Sequence, residues 1–239
     1  MSATPPVVSF QGVTKTYRQG NVDVQALRGM DLTIQQGEFV ALWGPSGSGK
    51  TTALNMIGAL DTPTSGTVTL DGKDLSTLNR RQLSALRRDR IGFVFQAYNL
   101  IPVLTAYENA EAVMTLQGTP EAARRSRVRK LLADVGLQGM EDRRPHEMSG
   151  GQQQRVAIAR AIASNPAVVL ADEPTANVDS ETSEKLLKLM ADLNNEHGTT
   201  FVFSTHDPRV MKYAKRLVGL VDGRVDSDVE KEQGAERAT

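Results

Sequence analysis

The 239-residue sequence predicts an α/β fold: a mostly parallel sheet flanked by helices, with an antiparallel β region before it and a helical subdomain within it. Three observations carry that prediction. A glycine-rich turn, Gly44-Pro45-Ser46-Gly47-Ser48-Gly49-Lys50-Thr51, lies between the apolar run Phe39-Val40-Ala41-Leu42-Trp43 and the helix-like stretch Thr52 to Ile57. From Gln152 to Ser204 helix-like and strand-like stretches alternate, and strand-helix-strand alternation builds a parallel sheet wrapped by helices. Before the glycine turn, short β-branched stretches at Val7 to Val13 and Val24 to Ile34 are punctuated by Gly12, Gly20, Gly29 and Gly37, the pattern of antiparallel strands joined by tight turns.

The elements follow in order. Ser65 to Lys73 reads as a strand ending in an Asp71-Gly72 turn, and Ile91 to Phe95 as a short apolar strand ended by Gln96. Thr105 to Val135 is helical in pattern, with Arg-rich polar faces and a stop at Gly136. It falls in an expected helical subdomain of about 98–160. A helix from Gln152 to about Ser164 is stopped by Asn165-Pro166, and an apolar strand runs from Ala167 to Ala171. Leu186, Leu187, Leu189, Met190 and Leu193 then sit at helical spacing as a core face, Gly198 ends that helix, and Thr199 to Ser204 forms the next strand. The main domain is therefore expected over 7–225. The charged tail 226–239, nearly free of apolar residues, is expected to be structureless.

Composition narrows the function classes. Lys plus Arg and Asp plus Glu balance at 28 each, so no global field draws the chain to nucleic acid or to an acidic membrane surface. The absence of cysteine excludes disulfides, thiolate metal sites and a Cys nucleophile, and is compatible with a reducing cytosol. The start Met1-Ser2-Ala3-Thr4-Pro5-Pro6 lacks the basic-then-apolar order of a signal peptide, and no long apolar run offers a membrane span. The chain is expected to be soluble by itself.

The glycine turn fits the spacing G-x-x-x-x-G-K-[ST] in the strand-loop-helix context that motif requires, which points to a P-loop NTPase core. Glycines let backbone N–H groups come against a phosphate, and the helix start adds unpaired donors and partial positive charge. Gly44 to Thr52 are thus candidate nucleotide-binding residues, with Lys50 reaching the β- and γ-phosphates and the Thr51 hydroxyl on Mg²⁺. Val168-Val169-Leu170-Ala171 delivers Asp172 and Glu173 at a strand's carboxyl end, where ligands of open α/β sheets bind. Asp172 suits Mg²⁺ held through water, and Glu173 suits a general base that polarises the attacking water. Ser149-Gly150-Gly151-Gln152 reads as an anion-binding helix start or as a plain serine cap with a glycine entry, and the two readings are compatible.

The phosphate loop, Gln96, Ser149-Gly150-Gly151-Gln152, Asp172-Glu173, Asp179 and His206, in that arrangement, resemble the nucleotide-binding subunit of an ATP-binding-cassette (ABC) transporter from about Val7 to Val225. Met148 stands where that family usually has Leu, an apolar exchange of little expected effect. The resemblance implies the ABC ATPase fold, with ATP and Mg²⁺ as ligands. It further implies ATP hydrolysis coupled to transport and a head-to-tail homodimer in which the Ser149 segment of one copy completes the ATP site of the other. It assigns Tyr17 to stacking on adenine, Gln96 to Mg²⁺ and γ-phosphate sensing, Asp179 to the dimer-crossing loop and His206 to the γ-phosphate and the attacking water. The partner implied is a membrane-spanning permease subunit, in some systems with a periplasmic or extracellular adaptor. This chain would then sit peripherally on the cytoplasmic face of the inner membrane. Phe93 to Pro102, Leu104 to Asn109 and Gly58 to Gly66 are similar to the ATPases of lipoprotein-release and macrolide-export systems.

A soluble ABC-type ATPase acting on nucleic acid or ribosomes is the alternative. Such proteins carry long insertions, and fewer than 100 residues separate Lys50 from Ser149. The runs Arg80-Arg81, Arg87-Arg88-Asp89-Arg90 and Arg124-Arg125-Ser126-Arg127 lack interleaved aromatics and read as solvated helix faces, not as a nucleic-acid track. A regulatory, non-hydrolysing cassette would lack a catalytic residue, and none is missing.

Overall fold

In the computed structural model, which describes residues 5–231 apart from Asn21, two sheets divide the strands. Strands β1 (Val8–Gln19), β2 (Val22–Ile34), β4 (Ser65–Leu70) and β5 (Lys73–Asp74) form an antiparallel sheet in the order β2-β1-β4-β5. The second sheet is ordered β10-β9-β3-β8-β7-β6, from β3 (Phe39–Trp43), β6 (Ile91–Phe95), β7 (Val168–Asp172), β8 (Phe201–Thr205), β9 (Arg216–Val221) and β10 (Arg224–Glu230). Strands β6, β7, β8, β3 and β9 run parallel, and β10 returns antiparallel to β9.

The central strands are apolar throughout because both faces are covered, as parallel sheets require. Side chains alternate faces. Val40, Leu42, Val168, Leu170 and Val202 pack with helix α1 (Lys50–Ile57) and the antiparallel sheet. Phe39, Ala41, Val169, Ala171, Phe201 and Phe203 pack with α3 (Ala106–Leu116), α4 (Glu121–Asp134), α5 (Gly150–Ala163) and α6 (Ser180–His197). Leu186, Leu187, Met190 and Leu193 are buried on α6, the core face that their spacing predicts. The remaining helices are α2 (Arg80–Arg90) and the short α7 (Pro208–Tyr213).

Four expectations need correction. The first strand does not end at Val13 but runs to Gln19 through register shifts, which carries Tyr17 into the sheet opposite Val24. The helical stretch from Thr105 to Val135 is two helices, broken at Gly118-Thr119-Pro120, because proline fits only the first turn of a helix. Not all the arginines are solvated. Arg127 donates to Ala163 O at 2.6 Å and Ile162 O at 3.1 Å, closing the C-terminal end of α5, and Arg124 pairs with Glu111 at 2.9 Å. Finally, the tail from 226 is not structureless throughout, since residues up to Glu230 belong to β10. Val225 faces the core there, and Asp228 takes a bidentate pair from Arg216 at 2.8 and 2.7 Å. Residues 232–239 lie outside the described residues.

Candidate functional site

Register brings the motifs together. Trp43 pairs with Thr205, Asp172 with Ser204 and Phe95 with Asp172, so β3, β8, β7 and β6 end level along one edge. The residues that follow are Gly44, His206, Glu173 and Gln96, delivered to the carboxyl ends where open α/β sheets bind ligands. A cavity of about 670 Å³ lies there, lined by Tyr17, Val24 to Ala26, the whole loop Gly44 to Thr52, Glu173, Ser204 and His206.

The loop's shape depends on its glycines. Gly49 caps α1 at φ 102°, a left-handed geometry, and a Cβ there would stand 2.7 Å from Ala26 O. A Cβ at Gly44 would stand 2.2 Å from Leu220 O, so the loop packs backbone to backbone against the end of β9. Lys50 is buried at 9 % exposure and its Nζ donates to Gly44 O at 2.7 Å and Pro45 O at 2.9 Å, which holds the ammonium inside the arc of the loop. Ser48 Oγ is buried with no protein partner, and Thr51 is exposed at the helix start.

Glu173 sits at φ 46°, in a backbone region that non-glycine residues rarely adopt, just past the end of β7. Its N–H donates to Ser204 O at 3.0 Å. Its carboxylate is fixed at both oxygens: Oε1 lies 2.6 Å from His206 Nδ1, and Oε2 accepts from the Thr205 hydroxyl at 3.1 Å. The acid is mostly covered while the imidazole is open to the cavity. Thr205 Oγ1 also accepts from Asp207 N at 2.9 Å, and Asp207 in turn accepts from Thr175 and is clamped by Arg209 at 2.8 Å. Burial works against ionisation of Asp207, but the bonds from Arg209 and Thr175 outweigh it and hold the carboxyl below the usual range.

Asp172 stands behind this group. Burial raises its carboxyl above the usual range and the neighbouring Glu173 adds to the rise, while a bond from Ser204 and the field of Lys50 oppose it. Gln96 is exposed and does not line the cavity. Its amide donates to Asn177 Oδ1 at 3.3 Å, and Asn177 Nδ2 donates back to Gln96 O at 2.9 Å.

The remaining predicted residues lie elsewhere. Ser149 caps α5, accepting from Gln152 N at 3.3 Å while Gln152 Oε1 accepts from Ser149 N at 2.9 Å, so the capping reading holds. Ser149, Gly151 and Gln152 line a separate cleft of about 240 Å³ with Arg155 and Thr182, and Gly150 lies between them at the helix start. Asp179 caps α6, taking the Thr182 amide at 2.9 Å and its hydroxyl at 2.7 Å, which lowers its carboxyl from the ordinary value. One chain therefore unites the phosphate loop, Tyr17, Glu173 and His206, and leaves the Ser149 tip facing outward. Thr175 and Asn177 belong to the run Thr175 to Asp179 that carries Asp179, while Thr205 and Asp207 stand beside His206 without a motif of their own; all four tie these parts together. For Thr205 and Asp207, only adjacency to His206 could have marked them.

Comparison with known proteins gives the family of this fold. The family described as ABC transporter matches residues 27–176. The chain is 45% identical over 226 residues to the uncharacterized ABC transporter ATP-binding protein MJ0796 of Methanocaldococcus jannaschii, covering 93% of this chain and 96% of that protein. It is 44% identical over 223 residues to the macrolide export ATP-binding/permease protein MacB of Marinobacter nauticus, covering 93% of this chain but 34% of that longer protein. The dimeric post-hydrolysis structure of MJ0796 bound to ADP and Pi superposes with a TM-score of 0.84, covering 93% of this chain and 98% of that one. CbiO1 of Clostridium perfringens, part of the transporter complex cbiONQ, superposes with a TM-score of 0.86 at 29% identity, covering 95% of this chain and 89% of that one. Family model, sequence relatives and fold agree: the chain belongs to the ABC transporter family.

Proposed function

We propose that this chain is the ATP-hydrolysing subunit of a transporter of the lipoprotein-release and macrolide-export kind. In this reading it closes head to tail on a second copy around two ATP molecules and drives a separate membrane subunit for export, lipoprotein release or force transmission. One observation carries the reading. The phosphate loop, Glu173 and His206 arrive at one cavity from three parallel strands, with Glu173 already bonded to His206 at 2.6 Å.

Hydrolysis asks a protein to position a water and to stabilise charge at the γ-phosphoryl group. The amides of Gly44 to Thr52 and the Lys50 ammonium supply positive potential there. Glu173 takes the proton of the attacking water. His206, its Nδ1 engaged, keeps Nε2 for the γ-phosphate. Thr51, Asp172 and Gln96 offer a hydroxyl, a carboxylate and an amide oxygen, the hard donors that suit Mg²⁺. Bound by these donors, Mg²⁺ would supply charge neutralisation at the phosphates. Ser149, Gly150, Gly151 and Gln152 form an outward helix tip that suits the γ-phosphate of a second copy, with Asp179 in the loop between the copies.

A second surface suits the membrane subunit. A groove of about 370 Å³ between β6, α3 and α5 is lined by Leu60, Phe93, Phe95, Val113, Leu116 and Arg160 among others. Leu60 and Leu116 stand there 52% and 70% exposed, apolar side chains that a docked partner would cover. No described helix is long and apolar enough to cross a membrane. In this reading the chain sits peripherally on the cytoplasmic face, held there by its membrane subunit.

The test is Glu173→Gln. That variant is expected to bind ATP with near-normal affinity, lose turnover by at least about 100-fold and accumulate as an ATP-bound dimer in size-exclusion chromatography. Wild-type phosphate release by this variant would refute the assignment of the base.

A further inference from the structure

Asp61 lies in the segment Gly58 to Gly66, which the hydrolytic mechanism leaves without a task. It follows α1 and faces β1. Its Oδ2 accepts the Tyr17 hydroxyl at 2.7 Å, and its Oδ1 accepts Lys15 Nζ at 2.6 Å and Thr62 N at 2.7 Å. Lys15 also donates to Thr62 O at 2.8 Å, and its ammonium stands 4.8 Å from the centroid of the Tyr17 ring. Lys15 and Tyr17 are two apart on β1 and therefore share a face of the strand. The side chains of Lys15 and Asp61 are only 12% and 26% exposed, so this trio is largely shielded from water.

The arrangement fixes an aromatic plate. Tyr17 lines the same cavity as the phosphate loop, so one part of its ring is presented to a ligand while its hydroxyl is bound from behind. An untethered ring on a strand surface must be ordered when a base stacks on it, and that ordering subtracts from affinity. A ring ordered before binding avoids the loss.

We propose that Asp61 is a positioning residue for the nucleotide base: through the Tyr17 hydroxyl, with Lys15 holding its other oxygen, it orders the Tyr17 ring as a preformed stacking platform. The proposal rests on the reading of the cavity as an ATP site, and deepens it by assigning the base end. Asp61 does not line the cavity that holds the phosphate loop, so its effect is confined to ligands that carry a base.

The experiment measures binding of two probes, MgATP and inorganic triphosphate, to the full chain carrying Asp61→Ala, Asp61→Asn, Tyr17→Phe or Asp61→Ala with Tyr17→Phe. Asp61→Ala is expected to weaken MgATP about five- to tenfold and to leave inorganic triphosphate within twofold, and in turnover to raise KM with kcat unchanged. Tyr17→Phe keeps the ring and cuts the same bond, so its effect should match, and the double variant should be no worse than either single one. Asp61→Asn retains an acceptor for the hydroxyl and should recover most of the affinity. Equal weakening of both probes would show that Asp61 merely supports the loop, and unchanged MgATP affinity would show that the tether does nothing; either overturns the proposal. If the wild-type chain bound inorganic triphosphate but not MgATP, or bound neither, the ATP-site reading itself would fall, which is a separate result.

Discussion

Lys50 and Gly49 act on the nucleotide by different physics, and two substitutions separate them. Lys50→Ala removes a mostly buried ammonium whose task is charge, and is expected to cost about 2–5 kcal/mol of ATP binding in a nucleotide titration. Gly49→Ala leaves every charge in place but puts a Cβ 2.7 Å from Ala26 O at φ 102°. It should unfold the protein more easily, by about 1–3 kcal/mol in denaturant, and lose ATP affinity because the loop cannot hold its arc. The candidate residues that sit in sequence-contiguous motifs could be picked out from the chain alone: Gly44 to Thr52, Asp172 and Glu173, with Ser149 to Gln152 as a second candidate segment that lines a separate cleft. Thr205, Asn177 and Asp61 were not, because their roles exist only after distant segments meet. Asp61 reaches Tyr17 across 44 positions, and no spacing rule spans that distance.

Among the elements, β10 shows how composition misleads. The stretch beyond Val225 is charged, and counting charges predicts no structure, yet Asp222-Gly223 between Val221 and Arg224 is a hairpin turn signal. Both residues take positive φ, 47° and 76°, as a tight two-residue turn needs. The strand that follows is held by cross-strand pairing to β9 and by Arg216, which also donates to Glu38 at 2.8 Å and to Thr33 O at 2.8 Å, linking β10 to both sheets. The central strands were legible, since runs such as Val168 to Ala171 are apolar whichever face they turn. The break at Gly118-Thr119-Pro120 was overlooked within the helical pattern of Thr105 to Val135, although a glycine and a proline two residues apart punctuate it. Arg216 lowers the carboxyl of Asp228 from its ordinary value against the opposing effect of burial. A carboxyl depressed in the folded state contributes stability above the unfolded value, and that contribution disappears as pH falls through the ordinary carboxylate range and below. Asp228→Asn should therefore lower thermal stability at neutral pH by no more than about 1 kcal/mol, since the pair is partly exposed, and the gap to wild type should close in acid. A gap that stayed constant with pH would show that packing, not charge, holds β10.

On the scale of the molecule, two cores lie on opposite faces of one sheet, and the site sits at the edge where those faces meet. The core around α1 and the antiparallel sheet fixes the phosphate loop and Tyr17. The other core fixes α5, whose N-terminal tip carries Ser149, and α3, whose surface borders the apolar groove. Gln96 joins the two at the end of β6, bonded on one side to Asn177 in the loop that precedes α6. Movement of the helical part relative to the sheet would thus displace the Ser149 tip and the groove together, which is the coupling that a transport ATPase needs. The groove can be probed directly at its rim. Leu116 is 70% exposed, so Leu116→Asp removes almost no core packing and should change folding stability by no more than about 0.5 kcal/mol. In a detergent pulldown with this chain as bait, the same substitution should reduce recovery of the copurifying membrane subunit at least about tenfold, because it replaces an exposed apolar anchor of the groove by a charged group that a docked partner would have to desolvate. Undiminished recovery would place the membrane contact on another face, and the coupling between α3, α5 and the Ser149 tip would then have no receiver at the groove.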